Sequence, residues 1–257
     1  MVKVTLITGA SSGFGEEFAK LFAKKGHNLV ITARSEGKLL ALKKKLEEEY
    51  SVKVYVCPMD LAEKGAAHRI FDYTKNENLC VDILINNAGF GDFGRFVESD
   101  LKKQTDMVQV NVTALMELTH LFARPMVKNG YGKILNVASI AAFQSGPLMS
   151  IYYSTKAFVL SFTEALSVEL KNTGVTVTAL CPGPSVTGFE ASANLANSGL
   201  FKNIKPMTAQ LITEYGYKKL FRESVIAIPG FGNKLVVWGS KLAPRALVRE
   251  VVYRIQK

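Results

Sequence analysis

Seven short apolar runs carry almost no polar alternation, and this constrains the fold more than any other feature of the chain. They are Val2–Ile7, Asn28–Thr32, Val52–Cys57, Val81–Asn86, Lys133–Ala138, Val175–Leu180 and Ser224–Ile228. A strand with one face in water alternates apolar and polar residues, so runs like these need cover on both faces. Between them, Gly13–Lys25, Glu36–Tyr50, Glu63–Asn76, Leu101–Val127 and Ile151–Asn172 have helical patterns. Strands alternating with helices predict a parallel, doubly wound α/β sheet of about seven strands, with helices on both faces. No repeat, low-complexity tract or Pro-, Gly- or charge-rich linker divides the chain. Its 257 residues, 48% of them hydrophobic, suffice for one core, so residues 1–257 are read as a single domain.

The first strand ends in Thr8-Gly9-Ala10-Ser11-Ser12-Gly13-Phe14-Gly15 and runs directly into a helix. Glycines there permit a tight turn and let backbone N–H groups approach a pyrophosphate, which the helix dipole also favours. Asn86-Asn87-Ala88-Gly89 follows the fourth strand, and Asp60 follows the third. Further on, Asn111 lies in the longest helical stretch and Ser139 ends the fifth strand. Tyr152 follows Ser139 by thirteen residues, and Tyr152 and Lys156 stand four apart, on one face of a helix. Tyr153 duplicates the side chain but breaks both intervals, and is read as pocket wall or core.

The order TGxxxGxG, NNAG, Asn, Ser, YxxxK resembles the short-chain dehydrogenase/reductase family, and the Pro182-Gly183 turn after strand six extends the likeness from Val2 to Thr187. The resemblance implies a Rossmann-type domain that binds a nicotinamide dinucleotide and moves a hydride between it and a carbonyl or alcohol. It places the cofactor against Gly9, Ser11, Ser12, Gly13, Phe14, Gly15, Arg34, Asp60, Asn87, Ala88, Gly89, Tyr152, Lys156, Pro182, Gly183 and Thr187. By the same likeness Tyr152 is the general acid/base and Ser139 orients the substrate oxygen. Lys156 lowers the tyrosine pKa and binds the nicotinamide ribose, and Asn111 holds a water that links Lys156 to solvent. The chemistry is coherent, since negative charge developing on the substrate oxygen is stabilised by hydrogen bonding and proton transfer. The likeness fades after the last strand, where Val225-Ile226-Ala227-Ile228-Pro229-Gly230 departs from reductases of the fatty-acid-elongation type.

Strand two closes in Thr32-Ala33-Arg34-Ser35. An NAD-specific site places a carboxylate there for the ribose 2′-hydroxyl, whereas a guanidinium suits a 2′-phosphate. Arg34 therefore predicts NADPH over NADH. Glu36 follows Ser35, a natural N-cap, and is assigned to the helix dipole instead. Against the NADP reading, Ser12 takes a position that is basic in many NADP-using relatives. A non-catalytic NADPH-binding regulator is the alternative function, and the retained Ser139, Tyr152 and Lys156 favour the enzyme. Phe189, Leu195, Leu200 and Phe201 in a substrate loop of about 183–206, with Phe90, Phe93 and Phe143 nearby, predict an apolar ketone, aldehyde or ketoacyl substrate.

The net charge of +10 favours anionic partners. No nucleic-acid module is present, and the Lys43–Glu49 run is a solvated helix face. His27, His68 and His120 lack metal-ligand spacing, so no metal is expected. Cys57, Cys80 and Cys181 form no CxxC pair and are read as reduced thiols, which with the absence of a signal-peptide core gives a cytoplasmic expectation. Half the excess charge lies in a basic, apolar tail, 234–257, with Lys234, Lys241, Arg245, Arg249, Arg254 and Lys257 against Glu250. Docking on its own domain, or packing in a homo-oligomer, is the preferred role of this tail. Contact with an anionic membrane surface through Trp238 and Leu242 is the alternative.

Overall fold

The computed structural model describes residues 1–186, 193 and 206–257. Seven strands form one parallel sheet: β1 (Val2–Thr8), β2 (Leu29–Thr32), β3 (Val54–Val56), β4 (Leu79–Asn86), β5 (Gly132–Val137), β6 (Val175–Leu180) and β9 (Ile226–Ala227). Their order is β3-β2-β1-β4-β5-β6-β9. A short pair, β7 (Ser185–Val186) with β8 (Met207–Thr208), lies apart from it. The chain starts in the middle of the sheet, winds outward to β3, then returns to place β4 on the other side of β1. At that reversal the loops after β1 and β4 diverge and leave a crevice at the carboxyl ends of the strands.

Successive side chains of a strand serve opposite faces, and the packing follows that rule. Ile7, Leu29, Ile31, Ile83, Ile85 and Leu135 face one core. It is covered by α1 (Gly13–Lys24), α2 (Glu36–Glu49) and α7 (Ala209–Phe221), with Phe18 and Phe22 wholly buried. Leu6, Val30, Leu84, Ile134 and Val177 face the other, under α3 (Ala66–Asn76) and α5 (Leu115–Lys128), which contribute Ile70, Leu118 and Phe122. The last long crossover is α6 (Ser150–Glu169). Cys57 and Cys181 are buried, Cys80 is half-buried, and all three are free thiols.

The structure departs from the sequence reading in three places. The stretch Leu101–Val127 is not one regular helix. It is α4 (Leu101–Val108), a π-helical turn Gln109–Ala114, and then α5. The wider turn buries Asn111 and carries it to the crevice. Helix α7 was not legible, because Gly216 falls in its middle; a Cβ there would lie 3.0 Å from Leu180 Cδ2 and 3.3 Å from Phe18 Cζ, so the helix packs tightly at a residue that disfavours helix. The basic tail forms two helices, α8 (Phe231–Leu242) and α9 (Arg245–Gln256). It docks on its own domain through Val237, Val252 and Gln256.

A polar ladder crosses the centre of this apolar structure. Asn86 and Asn136 are partners across β4 and β5. Asn86 Nδ2 donates to Asn136 Oδ1 and to Thr119 Oγ1, both at 2.9 Å, and Asn136 Nδ2 donates to Thr163 Oγ1 at 2.9 Å. The ladder thus ties both central strands to α5 and α6. Removing one partner leaves buried polar atoms unsatisfied. Asn136→Ala is expected to cost about 1–3 kcal/mol of stability, measured by urea denaturation.

Candidate active site

Two loops that meet at the strand reversal shape one another. Thr8 Oγ1, at the end of β1, accepts hydrogen bonds from the backbone N–H groups of Asn87 and Ala88, each at 2.9 Å. Asn87 Nδ2 donates in return to Thr8 O at 2.8 Å and Gly9 O at 3.3 Å. The glycines are sterically required. Gly9 has φ +67°, and a Cβ at Gly15 would sit 2.2 Å from Gly9 O and 2.6 Å from Asn87 Nδ2. The second asparagine of Asn-Asn-Ala-Gly is therefore a clamp on the glycine loop, a role the spacing did not reveal.

This junction opens into a cleft of about 780 Å³. Gly9, Ser11, Ser12, Gly13 and Phe14 line one side, where α1 begins and its first N–H groups have no intrahelical partner. Asn87, Ala88, Gly89, Pro182 and Gly183 also line the cleft. Gly15 is buried behind the loop and shapes the cradle without lining it. Asp60 also lines the cleft, but its Oδ1 already accepts from Ala62 N at 2.9 Å and so shapes the turn after β3. Thr187, Phe189, Leu195, Leu200 and Phe201 lie outside the described residues.

At the end of β2 the cleft is bordered by Ala33, Arg34, Ser35 and Lys38. Ser35 stands at the N-cap of α2 as expected, yet its side chain makes no capping bond. Glu36 begins α2 and does not line the cleft. Among the described residues neither Arg34 nor Lys38 has an ion-pair partner. Lys38 was missed in the sequence, although it lies one helical turn beyond Arg34 and shares its side of the loop. Lined by a glycine cradle and two cations, the cleft fits an anionic dinucleotide.

The other end holds the expected side chains. Ser139 Oγ accepts from Ala141 N at 3.1 Å, donates to Pro182 O at 3.4 Å, and is hydrogen-bonded to Tyr152. The first turns of α6 place Lys156 beneath Tyr152, with Nζ 5.8 Å from the ring centroid. Lys156 Nζ donates to Val137 O at 2.7 Å. Burial pushes the Tyr152 phenol well above the ordinary tyrosine range, and the hydrogen bond with Ser139 only partly opposes this. Burial also lowers the Lys156 pKa to about 8, with slight opposition from Cys181. Desolvation thus favours the neutral form of both Tyr152 and Lys156.

Asn111 is buried beside this pair, and its side chain is hydrogen-bonded to two separate segments. Nδ2 donates to Phe90 O at 2.9 Å and Thr155 Oγ1 at 3.1 Å, and Oδ1 accepts from Phe90 N at 3.1 Å. It ties the loop after β4 to α6. Gly89 makes room for this convergence, since a Cβ there would lie 2.9 Å from Asn111 Oδ1 and 3.4 Å from Lys156 Nζ.

The tail completes the wall. Gly183 lets α8 approach, because a Cβ there would meet Asn233 Oδ1 at 2.4 Å. Val236 of α8 with Val252 and Ile255 of α9 line the cleft. Tyr153 turns out to be both wall and core. Its hydroxyl accepts a buried hydrogen bond of 2.7 Å from Gln256 Nε2. The apolar spacing Val248, Val252, Ile255 was the available signal for this wall, obscured by the arginines between them. No cluster of metal-ligating side chains occurs among the described residues.

Comparison with known proteins follows the same outline. The family model for short chain dehydrogenases matches residues 3–198. Sulfoacetaldehyde reductase 2 of Chromohalobacter salexigens is 31% identical over 220 residues, 83% of this chain and 86% of that protein. A short-chain dehydrogenase from Sphingobium yanoikuyae in complex with NADPH superposes with a TM-score of 0.83 at 31% identity, covering 94% of each chain. A short-chain dehydrogenase/reductase from Burkholderia phymatum in complex with NAD gives 0.81 at 26% identity, covering 92% of each. Because the family match runs through both the glycine loop and the Tyr152–Lys156 pair, the chain belongs to the short-chain dehydrogenase family of oxidoreductases, which act on CH–OH and C=O groups.

Proposed function

We propose that this chain is an NADP(H)-dependent reductase of apolar carbonyl compounds, reversible as an alcohol dehydrogenase. The observation that carries the reading is the joining of Ser139, Tyr152 and Lys156 to a glycine cradle through one cleft, with Arg34 and Lys38 at its far end. NADPH, held by the cradle and by those two cations, would supply the hydride. The structural relatives include both an NADPH and an NAD complex, so the overall fold does not discriminate, and the charge at the end of β2 is what supports NADPH.

Tyr152 is held as a neutral phenol, the form required of a proton donor to a carbonyl oxygen. Ser139, fixed between Ala141 N and Pro182 O, orients that oxygen by hydrogen bonding. Lys156 is a cation at neutral pH and stabilises negative charge on the phenol oxygen once the proton has left. Asn111 acts through position, fixing Phe90 against the helix that carries Tyr152. Phe90, Val236, Val252 and Ile255 give the substrate end its apolar surface.

Tyr152→Phe is expected to lower kcat by about 10²- to 10⁴-fold while NADPH binding persists; the assay is NADPH consumption over a panel of ketones, aldehydes and ketoacyl thioesters. Intact turnover in that variant would remove Tyr152 from the chemistry. Replacing Arg34 and Lys38 by alanine should weaken NADPH binding about 10- to 100-fold and leave NADH binding nearly unchanged, as measured by calorimetry. Equal losses for the two cofactors would refute a 2′-phosphate site.

Lys156 also makes a prediction about stability. Its ammonium is disfavoured in the folded state, so the destabilisation is full below about pH 8 and fades as pH rises toward 10.5. Lys156→Met is therefore expected to lose activity yet gain about 2 kcal/mol of stability at neutral pH, after the lost hydrogen bond to Val137 O is subtracted. Denaturation curves at neutral and alkaline pH test this, and the gain should shrink at the higher pH.

A further inference from the structure

The tail helices dock on the domain by a narrow face and leave a wide apolar one outside. On α8, Phe231, Leu235, Trp238 and Leu242 recur at i, i+4, i+7 and i+11, a continuous stripe of residues 54–76% exposed. Only Val237 of this helix is buried. On α9, Leu247 and Val251 stand at i and i+4, 56% and 45% exposed, while Val252 and Gln256 face inward. An apolar stripe of this kind on a helix already docked by its other side is a surface awaiting a partner.

We propose that α8 and α9 form a docking surface for a lipid bilayer that carries anionic headgroups. Charge selects this occupant. The segment holds Lys234, Lys241, Arg245, Arg249, Arg254 and Lys257 against Glu250 alone, a net +5. On α8 both lysines fall along one flank of the stripe, with Lys241 Nζ 5.2 Å from the Phe143 ring centroid and Lys234 placed to snorkel toward headgroups. A second copy of this chain is the natural rival, but a two-fold symmetric contact places the same patch on itself. It would bring two segments of net +5 together, with only the pairing of Glu250 and Arg254 to soften them. A negatively charged apolar interface complements both features at once. Each helix has 12 residues, about 18 Å of rise, which is enough to lie in an interface and too short to span it. No helix among the described residues is long and apolar enough to cross a membrane.

The position of the surface gives the docking a consequence. Val236 and Ile255 belong to these same two helices and line the cleft beside Tyr152. The cleft wall and the lipid-facing stripe are thus built on shared elements, so an apolar substrate partitioned into lipid would meet the wall without first crossing bulk water.

The chain carries its own reporter, because Trp238 is its only tryptophan. Full-length protein is mixed with vesicles of phosphatidylcholine alone or with a share of phosphatidylglycerol, and emission is followed as lipid is added. The expected result is a blue shift with the anionic vesicles, quenching by brominated acyl chains, and binding that weakens steeply with added salt. The pair Leu235→Ser and Leu242→Ser should weaken binding about tenfold or more while leaving thermal melting and NADPH binding unchanged. No shift with anionic vesicles at low salt overturns the proposal, as does an equal response to pure phosphatidylcholine. A blue shift that grows with protein concentration in the absence of lipid would assign the surface to a second copy and overturn it equally. None of these readouts requires turnover, so their failure is distinguishable from failure of the oxidoreductase reading.

Discussion

The exchange of hydrogen bonds between Thr8 and Asn87 is the junction on which the rest of the site depends. It occurs where the strand order reverses, the one place where two neighbouring parallel strands send their loops in opposite directions. Left alone, those loops would have only their own turn geometry to define them. The threonine hydroxyl and the asparagine amide join them, and Gly9 and Gly15 allow the backbones to come close enough. The crevice that follows from the topology becomes a cleft of fixed shape.

At the other end of that cleft, desolvation is the controlling influence. The same enclosure that holds Tyr152 protonated makes Lys156 a reluctant cation. Two groups in unfavourable environments are thus placed side by side. Asn111 and Gly89 permit this crowding, one by anchoring the backbone around it and the other by contributing no side chain. The asparagine reaches its place through a π-helical turn, a local departure from regular helix that a functional position can sustain.

Much of this was legible in the sequence because it rests on short-range rules. Unalternating apolar runs implied the buried parallel sheet, and the four-residue interval placed Tyr152 and Lys156 together. What escaped was set by contacts between distant segments. Gly216 concealed α7, since the reason for a glycine in mid-helix is Leu180 on another element. The cationic partner Lys38 went unnoticed because the fingerprint for the ribose end concerns the strand terminus and not the helix after it. The tail read as charge first, although the hydrogen bond between Gln256 and Tyr153, 103 residues apart, makes it part of the site. The four-residue interval put Lys156 beside Tyr152, but the depth of its burial depends on elements far away in the sequence.

The clasp at the strand reversal has a consequence for how the protein comes to exist. Thr8 and Asn87 are 79 residues apart, and β1 acquires β4 as its neighbour across nearly the same separation. The glycine loop looks like a local motif, yet its shape is a long-range property. A nascent chain that has emitted the loop and α1 holds the right residues without the right curvature. Closing so long a segment has an entropic cost that must be met before any long-range contact returns energy, so the cradle matures with the centre of the sheet and not ahead of it. Nucleotide affinity should therefore appear during folding as a late and abrupt event, coincident with the pairing of β1 and β4.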